Sequence, residues 1–285
     1  SNYTLLKPEH VDGWVRATPA GFVFHFKAYG LLVNGGMQFK SLPQDVREML
    51  GESHPQKYVT LENIGHGKVQ EIWDRFHRSL QPAVRSKKMG AVVFQFQLNV
   101  VPSNPSSREH IEYCARQLHP DLSMAVEFRN RLWMNEDNLS DTLAWLSTLR
   151  PGGVALVSCD DLASEVYGAS QLHSDPSLHV VDDHLPVVLN ASCCASFAYV
   201  RVHRREGRDR VLYTQEIADW VQRISRLYEV ENFQGALYFL WGTDWEDQPM
   251  INARNLSSAL PARLAPKWAE ALRSADKQSI RNAFA

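Results

Sequence analysis

The sequence lacks the patterns that identify several common classes of protein. It has only four cysteines in 285 residues and no CxxC spacing, so neither a zinc site nor a disulfide framework is indicated. No apolar run approaches the roughly 20 residues that a membrane-spanning helix needs. No GxGxxG or GxxxxGKS/T motif follows a β-rich run, so nucleotide-binding folds that depend on those motifs have no support.

The sequence also lacks a strong net charge. Its 30 lysine and arginine residues are balanced by 32 aspartate and glutamate residues, which gives a formal net charge of -2. A chain without a global basic field is not typical of nucleic-acid binders, so recognition of an anion has to be local. With 44% hydrophobic residues, the chain has enough apolar material for one large core. Together these features favour an intracellular, cytoplasmic protein with no membrane partner.

What the sequence does have is a regular succession of β-rich runs. Each run combines β-branched and aromatic residues, and a shorter run at residues 2–5 precedes them. The six longer runs are residues 21–30, 90–97, 123–130, 153–161, 197–204 and 235–242.

Helical periodicity fills the stretches between these runs. Thr214 is predicted to cap one helix and Ser140 another. Apolar residues recur at helical spacing in four segments, marked by Val69 to Leu80, Ile111 to Leu118, Leu143 to Leu149 and Ile217 to Tyr228.

Strands that alternate with helices predict a parallel sheet with right-handed crossovers. Six strands and one short strand make seven, which is one fewer than the eight of a TIM barrel. The missing strand is expected at the N-terminus, where no methionine opens the chain. We therefore predict an α/β fold of the TIM-type (β/α) barrel that lacks its first strand, with an open doubly wound sheet as the alternative. The barrel is expected to span residues 1–264, followed by a C-terminal helical tail at 265–285.

Polar residues occupy alternate positions near the ends of the predicted strands. Side chains two apart share a face, so Arg201 and His203 are expected to point into the barrel, opposite Val200 and Val202. Because an unpaired buried charge is costly, such a set either pairs internally or serves a ligand. The same rule selects further inward residues on the other strands: Lys27, Gln95, Glu127, Arg129 and Asp160.

Two interpretations of this set stay open. The first is a salt-bridge network that closes the mouth of the barrel. The second is a site for a small anionic ligand, because arginine forks suit phosphate and carboxylate groups. In the second, Arg201, Arg129 and Lys27 hold the anion.

The chemical roles in such a site follow from the remaining ionisable residues. Glu127 or Asp160 would act as general acid or base, and His203 would shuttle a proton. A metal held by these three residues is less favoured, because no second histidine stands at ligand spacing.

Other stretches suggest alternatives. The basic run at residues 201–210 could contact a nucleic-acid backbone, which gives a non-catalytic binding module as a second hypothesis. The long connections at residues 28–66 and 162–196 leave strands at the end where barrel enzymes build their sites, so they are candidate substrate-binding loops.

Several runs resemble a known family. The runs TPAGFVFHFKA, AVEFRNRLW, FAYVRVHRR and INARNL occur in the order and character of the YecE-like family, domain of unknown function 72. The resemblance implies a TIM barrel whose activity is not established, either an enzyme or an inactive relative, with no particular cofactor or oligomeric state. It also adds Trp133 to the pocket residues that alternation selects.

Overall fold

The computed structural model divides the chain into two compact units. The first comprises Ser1–Val157 with Ser192–Cys194, and the second comprises Ser158–Ala191 with Ala195–Ala285. The residues that the structure describes are 5–42, 44–51, 58–160, 188–203, 210–242 and 245–265.

Helices and strands alternate along most of the described chain, as the periodicity predicts. Two short 3-10 helices lie at Phe39–Ser41 and Arg131–Trp133. In chain order the other elements are α1 (Pro8–Arg16), β1 (Phe24–Lys27), α2 (Gly30–Asn34), β2 (Gly36–Gln38), α3 (Gln44–Leu50), β3 (Tyr58–Thr60), α4 (Leu61–Ile64), α5 (His66–Arg85), β4 (Met89–Phe96), α6 (Pro105–Gln117), β5 (Ser123–Phe128), α7 (Leu139–Thr148), β6 (Ala155–Asp160), β7 (Phe197–Val202), α8 (Thr214–Glu229), β8 (Ala236–Trp241) and α9 (Gln248–Ala259).

The strand order is that of a (β/α) protein. The six longer strands follow one another in the sheet as β1-β4-β5-β6-β7-β8, while β2 and β3 form a separate antiparallel pair. The pairings of β1 with β4, β4 with β5, β5 with β6 and β7 with β8 are parallel. The predicted α/β fold of a TIM-type barrel is confirmed, with six strands in the main sheet of the described residues. The predicted run at residues 2–5 lies outside them except for Leu5.

The core of the first unit forms where α5 packs against the sheet. Val69, Ile72, Trp73, Phe76 and Leu80 recur at helical spacing and are all buried, as predicted. The Trp73 ring stacks on Phe94 of β4 with the ring centroids 6.4 Å apart. Burial of each large apolar side chain contributes roughly 1.5–3 kcal/mol, which fixes the helix on this face of the strands.

The second unit has its own core between β7, α8 and α9. Val200, Val202, Ile217, Trp220 and Leu256 form its buried cluster. The cluster explains why the small and β-branched residues of β7 alternate with polar ones, since only one face of the strand meets the helices.

Two predicted helix caps are displaced by one or two residues. Thr214 is the first residue of α8 rather than its cap, because Tyr213 precedes the helix and donates its backbone N–H to the Glu216 carboxylate at 2.7 Å. Ser140 lies inside α7, which begins at Leu139.

No helix in the described part of the chain is long and apolar enough to cross a membrane. The predicted C-terminal tail lies outside the described residues beyond position 265.

Candidate functional site

Parallel register brings three of the predicted site residues to one face at the carboxyl ends of the strands. Gln95 of β4 pairs with Glu127 of β5, and Lys27 of β1 pairs with Val93. Partners in a parallel ladder share a face, and Val93 and Gln95 are two residues apart. Lys27, Gln95 and Glu127 therefore point the same way, as alternation predicts.

These residues form a connected set of contacts with Arg129. The Lys27 ammonium donates to Gln95 Oε1 at 3.3 Å, and Gln95 Nε2 donates to Glu127 Oε1. The Nε of Arg129 lies 3.1 Å from the same glutamate oxygen. We call these four residues the Glu127 network. Its centre is inaccessible to solvent, since Glu127 is 0% exposed, while the Arg129 side chain is 15% exposed.

A buried carboxylate is stable only when charge and hydrogen bonds compensate for its lost hydration. Arg129 supplies the opposite charge, and the amide of Gln95 supplies a hydrogen bond to the same oxygen. The amide also accepts from Lys27, which fixes its orientation. With two cations and one carboxylate, the Glu127 network has a formal charge of +1.

The backbone holds Arg129 at the end of β5. Its N–H donates to the carbonyl oxygen of Phe96 at 3.1 Å, which extends the β4–β5 ladder by one residue beyond the strand. The guanidinium therefore leaves the sheet at a fixed place rather than from a free loop.

Trp133 does not lie with the Glu127 network. It is 0% exposed, and its ring stacks on Phe128 with centroids 4.4 Å apart and an interplanar angle of 9°. Its indole N–H donates to the carbonyl of Val100 at 2.8 Å. Phe128 is adjacent to Glu127 in the strand and faces the opposite side. The structure thus places Trp133 in the core, and the pocket role that the resemblance implies for it stays a prediction.

In the second unit, Arg201 and His203 lie at the carboxyl end of β7. Arg201 is 7% exposed and alternates with Val200 and Val202, which face the helices, so its predicted orientation away from them is confirmed. His203 follows the strand, and its ring lies against Gly242, where an added Cβ would come within 2.7 Å of His203 Cδ2. The sequence analysis did not select Gly242, although a glycine at the end of a strand often marks a close approach by another group, here the His203 ring.

Asp160 faces the opposite way from the prediction. His203 N donates to the Asp160 carbonyl at 3.1 Å, which pairs Asp160 with Val202 in a parallel ladder. The Asp160 carboxylate accepts a hydrogen bond from Trp220 Nε1 at 3.0 Å, and both Val202 and Trp220 belong to the helix-facing core. Asp160 is therefore on the helix side of β7 and β6, whereas Arg201 is on the other side.

The described residues hold no group of three or more histidine, cysteine, aspartate and glutamate side chains that could bind a metal ion. Of the basic run at 201–210, residues 204–209 lie outside the described part, and so do residues 162–187 of the second long connection. The first long connection, residues 28–66, is described except for residues 43 and 52–57, and it contains α2, α3, α4 and the β2–β3 pair.

The sequence matches one protein family over nearly its full length. The family model described as protein of unknown function DUF72 covers residues 1–275. The chain belongs to the DUF72 family. This confirms the resemblance to the YecE-like family. One relative, the UPF0759 protein YunF of Bacillus subtilis (strain 168), is 29% identical over 149 residues, which are 51% of this chain and 43% of that protein. The match thus spans less than half of the relative's length.

Solved structures of two DUF72 proteins share the fold. The Enterococcus faecalis V583 protein aligns with a TM-score of 0.62 at 19% identity, over 90% of this chain and 85% of that chain. The Thermotoga maritima MSB8 protein aligns with a TM-score of 0.59 at 18% identity, over 90% and 81% of the two chains. At this level of identity the likeness shows the fold alone.

Proposed function

We propose that this DUF72 protein binds a small anionic molecule, a phosphate ester or a carboxylate, through Lys27 and Arg129. The observation that carries the proposal is the Glu127 network. One fully buried carboxylate holds Arg129 directly and Lys27 through Gln95, at the carboxyl ends of adjacent parallel strands. Barrel enzymes bind their substrates at this edge of the sheet. Two of the four residues are cations, and their N–H groups are donors that suit an oxyanion.

The geometry gives Glu127 a positioning role in this proposal. Its contact with Arg129 Nε at 3.1 Å fixes the plane of the guanidinium, so that the edge formed by the two terminal nitrogens has one direction. That edge is the part of an arginine that binds two oxygens of a phosphate or carboxylate at once. Gln95 acts in the same way on Lys27, since the amide oxygen accepts from the ammonium. Pre-organised donors bind an anion with a smaller entropic cost than mobile ones.

The roles of Glu127, Asp160 and His203 as general acid or base, or as proton shuttle, stay predictions. The contribution of Arg201 to anion binding also stays a prediction. Each depends on contact with a bound substrate. The anion-binding step is therefore the part of the proposed function that is tested first.

Calorimetric titration with inorganic phosphate and a panel of phosphate esters and carboxylates tests the proposal. We expect at least one member to bind, and Arg129→Gln to weaken it about tenfold, since a hydrogen bond to a charged group contributes roughly 1.5 kcal/mol. Lys27→Gln should have a similar effect. Arg78→Gln, which removes an exposed arginine of α5, is the matched control and should leave the affinity unchanged. Equal affinities of Arg129→Gln and Arg78→Gln would overturn the proposal, as would the absence of binding by the whole panel.

A further inference from the structure

A cavity of about 630 Å³ lies in the first unit and shares no lining residue with the Glu127 network. This volume is within the range of small-molecule binding sites. One wall is the connection at residues 28–66, which contributes Gly35, residues 60–62, Gly65 and His66, and α6 contributes His110 and Tyr113. The connection that the sequence marks as a candidate substrate-binding loop thus borders a cavity.

Two aromatic rings on α6 form one surface of the cavity. His110 and Tyr113 stack with their centroids 6.1 Å apart and an interplanar angle of 23°. The His110 Nε2 lies 2.8 Å from the carbonyl of Val33, so this nitrogen carries the proton and donates, and Nδ1 retains its lone pair. Burial lowers the pKa of His110, which keeps the imidazole neutral at pH 7.

Tyr113 also lines the cavity, and its hydroxyl group is held by the buried Trp73. The hydroxyl oxygen accepts from Trp73 Nε1 at 3.2 Å. Burial raises the pKa of Tyr113, and the group stays protonated at neutral pH. Together with His110, it gives the surface an apolar body and two uncharged polar atoms.

The opposite rim carries a carboxylate. Glu62 is the second residue of α4 and is exposed, and Leu61 and Val69 beside it are apolar. The capping of α4 uses Thr60 and Asn63 instead, whose side chains and backbones bond reciprocally, so the helix does not depend on the Glu62 carboxylate. Among the described lining residues there is no lysine or arginine, so the Glu62 carboxylate favours a ligand with a positive charge.

We propose that this cavity binds a small ring-bearing organic amine, with its ring against His110 and Tyr113 and its ammonium group beside Glu62. Aromatic rings stack on His110 and Tyr113 in offset or tilted geometry, and Leu61 and Val69 cover the rest of an apolar body. The ammonium donates to the Glu62 carboxylate at the exposed rim, where it keeps part of its hydration. The proposal goes beyond the anion site and does not rest on it.

The test uses benzylamine with two uncharged or oppositely charged analogues of the same shape, benzyl alcohol and benzoate. Binding is followed by NMR of the full chain with carbon-13-labelled histidine and tyrosine rings. We expect benzylamine to shift the ring signals of His110 and Tyr113 and to bind most tightly, and benzoate to bind least. Glu62→Gln should weaken benzylamine roughly two- to fivefold, the range expected of an exposed ion pair, and leave benzyl alcohol unchanged.

Two further variants make the result decisive. Glu71→Gln removes an exposed carboxylate from α5 outside the cavity and should bind benzylamine like the wild type. Leu61→Trp places a larger side chain in the cavity and should abolish binding of all three probes, with folding verified by the thermal transition. Shifts that map to other residues, or equal benzylamine affinities in Glu62→Gln and Glu71→Gln, would overturn the proposal. Arg129→Gln should bind benzylamine normally, so failure at this cavity and failure at the anion site are distinguishable.

Discussion

Glu127 is the residue on which the candidate site depends most. It is fully buried, and its Oε1 accepts a hydrogen bond from Gln95 and forms an ion pair with Arg129. We expect Glu127→Gln to lower the free energy of unfolding by about 3 kcal/mol, because it leaves the Arg129 charge without its buried partner. Urea unfolding measures the change. Glu109→Gln, an exposed substitution on α6, should change it by less than about 0.5 kcal/mol. A cost at Glu127 as small as at Glu109 would contradict the network.

His25 gives the folded state a defined pH dependence. Burial lowers its pKa to about 4, and the Ala91 N–H donates to its Nδ1 at 3.1 Å, which favours the neutral ring. In the unfolded chain the pKa is about 6.5. The contribution of neutral His25 to the free energy of unfolding is therefore complete above pH 6.5. It is lost progressively as the pH falls toward 4, because the unfolded state binds the proton first.

We therefore expect the stability of the wild type to fall more between pH 7 and pH 5 than that of His25→Gln. Urea unfolding at the two pH values measures this difference. His10→Gln, at an exposed position of α1, should fall as much as the wild type. Parallel pH profiles for the wild type and His25→Gln would contradict the assigned burial effect.

Helix α6 is an element held at its C-terminus by a distant arginine. The last carbonyl groups of a helix have no partners within it. The Arg150 guanidinium donates to five backbone carbonyls in and after the last turn of α6, those of Ala115, Leu118, His119, Pro120 and Leu122.

Arg150→Met should lower the free energy of unfolding by about 2 kcal/mol, because part-buried carbonyls lose their donors while the apolar stem of the side chain is retained. Thermal and urea unfolding check this. Arg116→Met is the matched control within α6, since Arg116 is exposed and its ion pair with Glu112, at 3.8 Å, is weak. Equal effects of the two substitutions would show that Arg150 does not anchor the helix.

Individual elements also show where sequence reasoning succeeds and where it fails. Gln95 and Glu127 are found by alternation because the polar side chains of each strand lie on one face of an otherwise apolar run, Gln95 in β4 and Ser123 with Glu127 in β5. Asp160 is the last residue of β6, and its carboxylate accepts a hydrogen bond from Trp220 of the helix-facing core. A partner so far along the chain leaves no local pattern, so alternation assigns Asp160 to the wrong face. Trp133 enters the prediction through the family resemblance rather than through alternation, because it lies beyond the end of β5 in a 3-10 turn, where the period of two no longer applies.

For the molecule as a whole, the succession of strands and helices is sufficient to predict the fold. The parallel order follows from the helices between the strands, since a parallel strand needs a crossover connection. The division into two compact units is not visible in the sequence, because it falls inside β6 between Val157 and Ser158, where the composition does not change. Contacts between residues far apart in the chain define such a boundary, and no local pattern records them.

Since the molecule has a net charge of only -2, recognition of an anion depends on a few local cations, and their number predicts how binding responds to salt. A small anion held by Lys27 and Arg129 should lose less than about tenfold in affinity between roughly 50 and 200 mM salt, whereas a nucleic-acid site with many phosphate contacts would lose roughly a thousandfold or more. Titration of the tightest phosphate ester at the two salt concentrations measures this. A loss of the larger size would favour the nucleic-acid hypothesis instead.

The most direct test of the central claim is a crystal structure of the protein soaked with inorganic phosphate. The account predicts tetrahedral density within hydrogen-bonding distance of both the Lys27 ammonium and the terminal nitrogens of Arg129, with the Arg129 Nε still on Glu127. It is contradicted if no such density lies at these groups and both cations contact only protein carboxylates, because the Glu127 network would then be an internal salt-bridge network.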